Sequence, residues 1–269
     1  MNDVAKRRWA RRLTPACACL AGAVTWSAFA QTWTVGCFGD SHTEGFYGAP
    51  WVPELQRRAR LECRNFGRNA WTAVSVARRA KAAPASTAAV VLAGTNDALM
   101  DLAFRAGNQG MLSIYRGLNQ LPADYTPCVE SFRPAFRDLL AAMPASRVAV
   151  LSLPPLGEAT SGEAAETIAA YNREIQDAVA EEPRACYVPF AEHLQGTSGE
   201  GFDASSFAFS QTIGQMYLHT GLRQLPGGPA FGDLAARYGR KVVHDKIHLT
   251  EKSASILLDL VCEALAGVQ

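Results

Sequence analysis

Residues 32–46 read TWTVGCFGDSHTEGF, and the first half of that stretch decides the fold. TWTVGCF (32–38) is a short apolar run that reads as the first strand. It stops at Gly39-Asp40-Ser41, which places a hydroxyl directly where such a strand ends. Taken alone, Gly-Asp-Ser is ordinary turn chemistry. The rest of the chain has to show whether Ser41 is more than a bend.

Outward from this stretch, short apolar runs alternate with helical patterns. PWVPELQRRAR predicts a helix, ARLECRNF a second strand, WTAVSVARRAKAA a helix, and TAAVVLAG (87–94) a third strand. CVESFRPAFRDLLAAM is amphipathic, with Phe132, Phe136, Leu139 and Leu140 on one face, and Pro134 must sit in its first turns or kink it. RVAVLSLP (147–154) is a fourth strand, GEAAETIAAYNREIQDAVAEE a long helix, and ACYVPF (185–190) a fifth strand. A last helix starts at Thr250, an N-cap residue with Glu251 in the first turn. This alternation predicts an α/β protein with a parallel sheet and helices on both faces. In such sheets ligands bind where the strands end at their carboxyl edges. Gly39-Asp40-Ser41, Asn65 to Thr72 and Gly94-Thr95-Asn96-Asp97 should therefore open on one rim.

A serine hydroxyl becomes a useful nucleophile when an imidazole takes its proton. Of the five histidines, His248 has the best surroundings: in HDKIHLT, Asp245 precedes it by three residues and can hold its tautomer. His244 and His248 share the i, i+4 spacing of a metal pair, but no third ligand is close in sequence, and no metal or cofactor is expected. Asp40 and Asp97 read as carboxylates that stabilise their loops, and His193 and His219 as surface or satisfied core residues. No G-x-S-x-G elbow occurs, which argues against the α/β-hydrolase fold.

Together, GDS at 39–41, GTND at 94–97 and Asp-x-x-His at 245–248 resemble the GDSL, or SGNH, hydrolase superfamily over the chain from residue 31 onward. The resemblance implies a three-layer, flavodoxin-like fold with five parallel strands, a metal-free serine esterase or acyl-transferring enzyme, and a small-molecule ester as substrate. It also implies roles: Ser41 as nucleophile, His248 as general base, Asp245 as its partner, and the Ser41 N–H and Asn96 amide as oxyanion donors. A neutral amide suits that task, since it stabilises an alkoxide without competing for the proton. The family pattern Asn-x-Gly-x-x-Gly becomes Asn65-Phe66-Gly67-Arg68-Asn69-Ala70 here. The third donor therefore falls on Ala70, with Gly67 as the fallback if the loop is shifted. An alanine forced into a left-handed conformation would be strained by about 1–2 kcal/mol. His42 replaces the usual residue after the serine, and its side chain is expected to point away from Ser41.

The 269 residues, 48% hydrophobic and 19% charged with a net charge of +1, suffice for one sizeable core. Basic residues cluster only at the N-terminus, so nucleic acid is not an expected partner. There, Lys6, Arg7, Arg8, Arg11 and Arg12 precede an uncharged stretch ending in Ala28-Phe29-Ala30. That is the layout of a secretory signal peptide over residues 1–30 cleaved after Ala30, leaving residues 31–269 as one catalytic domain, periplasmic or secreted. If it were retained, this segment would be the sole membrane contact. Removing it takes five of 26 basic and one of 25 acidic residues, leaving 21 and 24 and a charge of −3. Cys37, Cys63, Cys128, Cys186 and Cys262 would remain, an odd number whose pairing the sequence does not set.

Two long insertions, 98–125 and roughly 195–242, follow strands at the same rim and carry apolar residues such as Tyr115, Phe202, Met216 and Tyr217. Loops this long often act as lids or pocket walls. Their apolar content suits a lipid-like or aryl ester first. A small acyl group on a carbohydrate comes second, acyl transfer is a further variant, and a silent envelope-binding module is the reading from another class.

Overall fold

The computed structural model describes residues 33–194 and 201–266, which fall in one compact unit, Thr32–Gln269. The expected signal peptide lies outside the described residues. Strand β1 (Thr34–Gly39) leads into a single-turn helix α1 (Ser41–Glu44), followed by α2 (Trp51–Ala59), β2 (Glu62–Gly67), α3 (Ala73–Ala82) and β3 (Ala88–Leu92). Next come α4 (Thr95–Arg105), α5 (Gln109–Asn119), α6 (Val129–Ala141), β4 (Val148–Leu151), α7 (Glu163–Glu181) and β5 (Ala185–Val188). The chain ends with α8 (Phe190–His193), α9 (Ser206–Gln224), α10 (Phe231–Ala236) and α11 (Glu251–Ala266).

The five strands are all parallel, in the order β2-β1-β3-β4-β5. Burial explains the order. Every residue of β3 and β4 is buried, as is β1 beyond its first residue, whereas the edge strands β2 and β5 carry exposed positions. Helices α3, α6 and α7 pack side by side on one face, and α2 packs with α11 on the other. Pro134 sits in the second turn of α6, inside the helix.

Both insertions are helical rather than open loops. The first is α4 and α5, the second holds α9 and α10. Asn108 caps α5 by accepting from Met111 N–H at 3.1 Å, and its amide donates to Ala204 O at 3.0 Å, tying the first insertion to the second. Half of the apolar side chains expected there pack inward, including Leu99, Met100, Met111, Tyr115 and Met216, while Phe104, Ile114, Phe207, Tyr217 and Leu218 stay exposed.

Candidate active site

The strand β1 delivers Ser41 as the first residue of α1. Gly39 is required just before it, because a Cβ there would lie 2.1 Å from Leu92 O. Asp40 caps the short helix, its Oδ1 accepting from His42 N–H at 3.0 Å. The helix leans on β2: Asn65 Nδ2 donates to Thr43 O at 2.8 Å, and a Cβ on Gly67 would strike Glu44 N at 2.4 Å. Asn65 and Gly67 thus seat the turn that carries Ser41.

His248 arrives from the opposite end of the chain. Its Nε2 lies 2.9 Å from Ser41 Oγ, and its Nδ1 lies 2.7 Å from Asp245 Oδ2. Asp245 Oδ1 also accepts the backbone N–H groups of Ile247 and His248, at 3.0 and 2.7 Å. Burial alone would raise the Asp245 carboxyl, but the neighbouring imidazoles of His248 and His244 and these hydrogen bonds hold it below the usual carboxylate range. A carboxylate accepts from Nδ1–H, so Nε2 is left as the acceptor for the serine proton. The geometry can transfer a proton from hydroxyl to imidazole.

The 241–250 segment is held by two devices that the sequence did not announce. Glu158 Oε1 accepts the N–H groups of Lys241, Val242 and Val243 at 2.8, 2.5 and 2.9 Å. His244 Nε2 lies 2.7 Å from Tyr47 O, a carbonyl, so Nε2 is the donor and Nδ1 accepts from His219 Nδ1 at 3.1 Å. Burial pushes His244 down to about 4 and also lowers His219, so both imidazoles are neutral partners. Both ring nitrogens of His244 are thereby occupied. Among the described residues no group of three or more His, Cys, Asp or Glu side chains is placed to hold a metal. His219, expected on the surface or satisfied in the core, is a buried partner of His244. His193 is exposed, with Nδ1 2.7 Å from Pro189 O.

The other residues expected as oxyanion donors follow β2 and β3, the two strands that flank β1. Asn96 is the second residue of α4; its Nδ2 donates to Trp71 O at 2.9 Å, and Tyr115 O–H donates to its Oδ1 at 3.0 Å. One N–H of the amide remains for a ligand. Ala70 has φ of 62°, the left-handed conformation anticipated as a strain, and its N–H makes no hydrogen bond among the described residues. The Gly67 N–H instead donates to Asn65 Oδ1 at 2.9 Å, so it is not a free donor. Arg68 N–H donates to Gly39 O at 3.2 Å and draws this loop to the end of β1.

Asp40 and Asp97 do stabilise loops. Asp97 Oδ2 accepts Ala73 N–H at 2.9 Å at the start of α3. Burial raises both carboxyls to about 7. His42 makes no hydrogen bond to Ser41; its buried ring packs 5.6 Å from that of His248, and burial pushes it down to about 3. The Tyr47 ring lies tilted against His248 at 5.7 Å between centroids, and meets Phe46 and Tyr217 edge-on at 4.9 and 5.8 Å. This aromatic cluster, to which the second insertion contributes Tyr217, has no simple sequence signal.

The profile of the GDSL-like lipase/acylhydrolase family matches residues 37–253, which takes in every residue of this site. The chain belongs to that family. It is a hydrolase acting on ester bonds, and its sheet is the five-stranded parallel α/β sheet of GDSL hydrolases. The GDSL chain is similar in fold to LAE5, an alpha/beta hydrolase enzyme from the metagenome of Lake Arreo, Spain, with 14% identity, a TM-score of 0.56, and 90% and 98% of the two chains covered. Axe2, an acetylxylan esterase from Geobacillus stearothermophilus, matches with 14% identity and a TM-score of 0.52 over 87% and 94%. The acetyl xylan esterase AlAXEase matches with 13% identity and 0.52 over 86% and 99%. At such identities the likeness is one of fold. No curated protein sequence matches the chain.

Proposed function

We propose that this GDSL enzyme is an exported serine esterase working through an acyl-enzyme. The observation that carries the reading is the hydrogen-bonded line from Ser41 Oγ to His248 Nε2 at 2.9 Å and from Nδ1 to Asp245 at 2.7 Å. Ser41 attacks the ester carbonyl while His248 takes its proton. The oxyanion forms beside the N–H groups of Ser41, Ala70 and Asn96. His248 then protonates the leaving alcohol, and the acyl-enzyme is hydrolysed by water that His248 deprotonates in turn. Ser41 and His248 are only 4% and 3% exposed, so these charges develop away from bulk water, where fixed donors act most strongly.

The substrate we favour is a lipid-like, alkyl or aryl ester, for which Phe46, Tyr47 and Tyr217 beside His248 offer an apolar wall. The same rings also suit the flat face of a sugar, and two of the structures similar in fold are acetylxylan esterases, which supports carbohydrate deacetylation as a second reading. Relative kcat/KM on acetyl, butyryl and octanoyl p-nitrophenyl esters separates them. The first reading expects the longer chains to be preferred; a wide preference for acetyl overturns it. Export rests on the basic, apolar, Ala-x-Ala order of residues 1–30. Sequencing the N-terminus of the protein from the extracytoplasmic fraction should find Gln31 first.

A further inference from the structure

We propose that Asn119, at the end of the inserted helix α5, is a positioning residue that holds the oxyanion side of the site in its working shape. This rests on the serine-esterase reading above. Asn119 is fully buried, and its side chain spans the loop between β2 and α3. Its Nδ2 donates to Ala70 O at 2.9 Å and to Tyr115 O at 2.9 Å. Its Oδ1 accepts from Thr72 N–H at 2.8 Å and from Thr72 Oγ at 3.1 Å. All four bonds available to the amide in this setting are made to residues 70, 72 and 115.

The effect falls on Ala70. Its left-handed backbone is unfavourable for any residue with a Cβ, and the relaxed alternative would turn its N–H elsewhere. Asn119 grips the carbonyl of the same residue and both polar groups of Thr72, fixing the peptide planes on either side of Trp71. Trp71 O is in turn the acceptor that orients Asn96, and Tyr115, one turn before Asn119, holds the other end of the Asn96 amide. One insertion helix thus sets two oxyanion donors that lie 26 residues apart in sequence. The helix end is itself anchored, since Arg78 of α3 donates to Asn119 O and, at 3.0 Å, to Gln120 Oε1. Thr72, with its hydroxyl committed to Asn119, leaves the capping of α3 to Asp97.

The test is Asn119→Ala, with kcat expressed per site titrated by a fluorophosphonate, so that unfolded protein is not counted. The expected result is a 10- to 100-fold fall in kcat with KM within about threefold. Affinity for a boronic acid that mimics the tetrahedral state should fall in parallel. Adding Ala70→Gly to Asn119→Ala should recover at least threefold in kcat, because glycine reaches positive φ without strain. If Asn119→Ala does not fold, Asn119→Leu fills the same space without the amide and carries the same expectation. An unchanged kcat per titrated site, or a loss that Ala70→Gly does not relieve, overturns the proposal. Ser41→Ala, run alongside, separates the two claims: persistent activity there removes the serine-esterase reading itself, whatever Asn119 does.

Discussion

The two sides of Ser41 are built in different ways. On the side of His248, the partners are neighbours in sequence: Asp245 and His248 are three residues apart and share four hydrogen-bonding groups within one turn. On the oxyanion side, Ala70 comes from the loop after β2 and Asn96 from the first turn of α4, and they are held by Tyr115 and Asn119, on a helix absent from any local motif. Proton transfer needs one base with one orienter, so it can be encoded in a short segment. A cluster of donors needs several backbones fixed at once, and only tertiary packing supplies that.

The comparison can be broken at either side, and the effects should be graded. Ser41→Ala and His248→Ala are expected to lower kcat by about 10⁴–10⁶, measured on a p-nitrophenyl ester, with Asp245→Asn near 10⁴ because the imidazole loses its tautomer. Asn96→Ala should cost about 10²–10³ in kcat with KM nearly constant, as for removal of one oxyanion donor. Tyr115→Phe deletes a single neutral hydrogen bond to Asn96 and is expected to cost about 5- to 10-fold. A Tyr115→Phe loss as large as that of Asn96→Ala would mean the tyrosine does more than orient the amide.

How much of this was legible in the sequence follows the same division. The sheet could be read because β1, β3 and β4 are buried on both faces and carry unbroken apolar runs. Ser41, Asp245 and His248 could be placed because each sits at a strand end or a helix start. Ala70 was expected from its position in the family pattern, and its backbone does take the positive φ that the strain argument addressed. Asn119 and Glu158 were invisible, since a buried amide or carboxylate serving backbone groups 47 to 85 residues away leaves no spacing to detect. The insertions read as long loops because their length hides the helical spacing within them; they form α4, α5, α9 and α10.

Removing Glu158 sharpens the contrast from another direction. Glu158→Ala leaves three amides ahead of His244 without their acceptor and should destabilise the fold by about 2–4 kcal/mol in urea unfolding, with Glu158→Gln keeping most of the stability. The smallest effect concerns pH. Asp97, raised to about 7 chiefly by burial, holds its proton more tightly folded than unfolded. Its contribution to stability is therefore lost as pH climbs from about 4 towards 7. His42 and His244, held below their ordinary value, act in the opposite sense over an overlapping range and blunt the whole-protein profile. The difference between Asp97→Asn and wild type isolates the carboxyl: the variant should gain on wild type by about 1 kcal/mol per pH unit across that window. A gap that stays flat with pH contradicts the assignment.

The central claim is that His248 activates Ser41. Mass spectrometry of the folded protein after a brief fluorophosphonate treatment tests it most directly. The account predicts one adduct per chain, on the peptide containing Ser41, formed at least 10³-fold more slowly in His248→Ala. An adduct on any other residue, or equally rapid labelling of Ser41 without the imidazole, would contradict it.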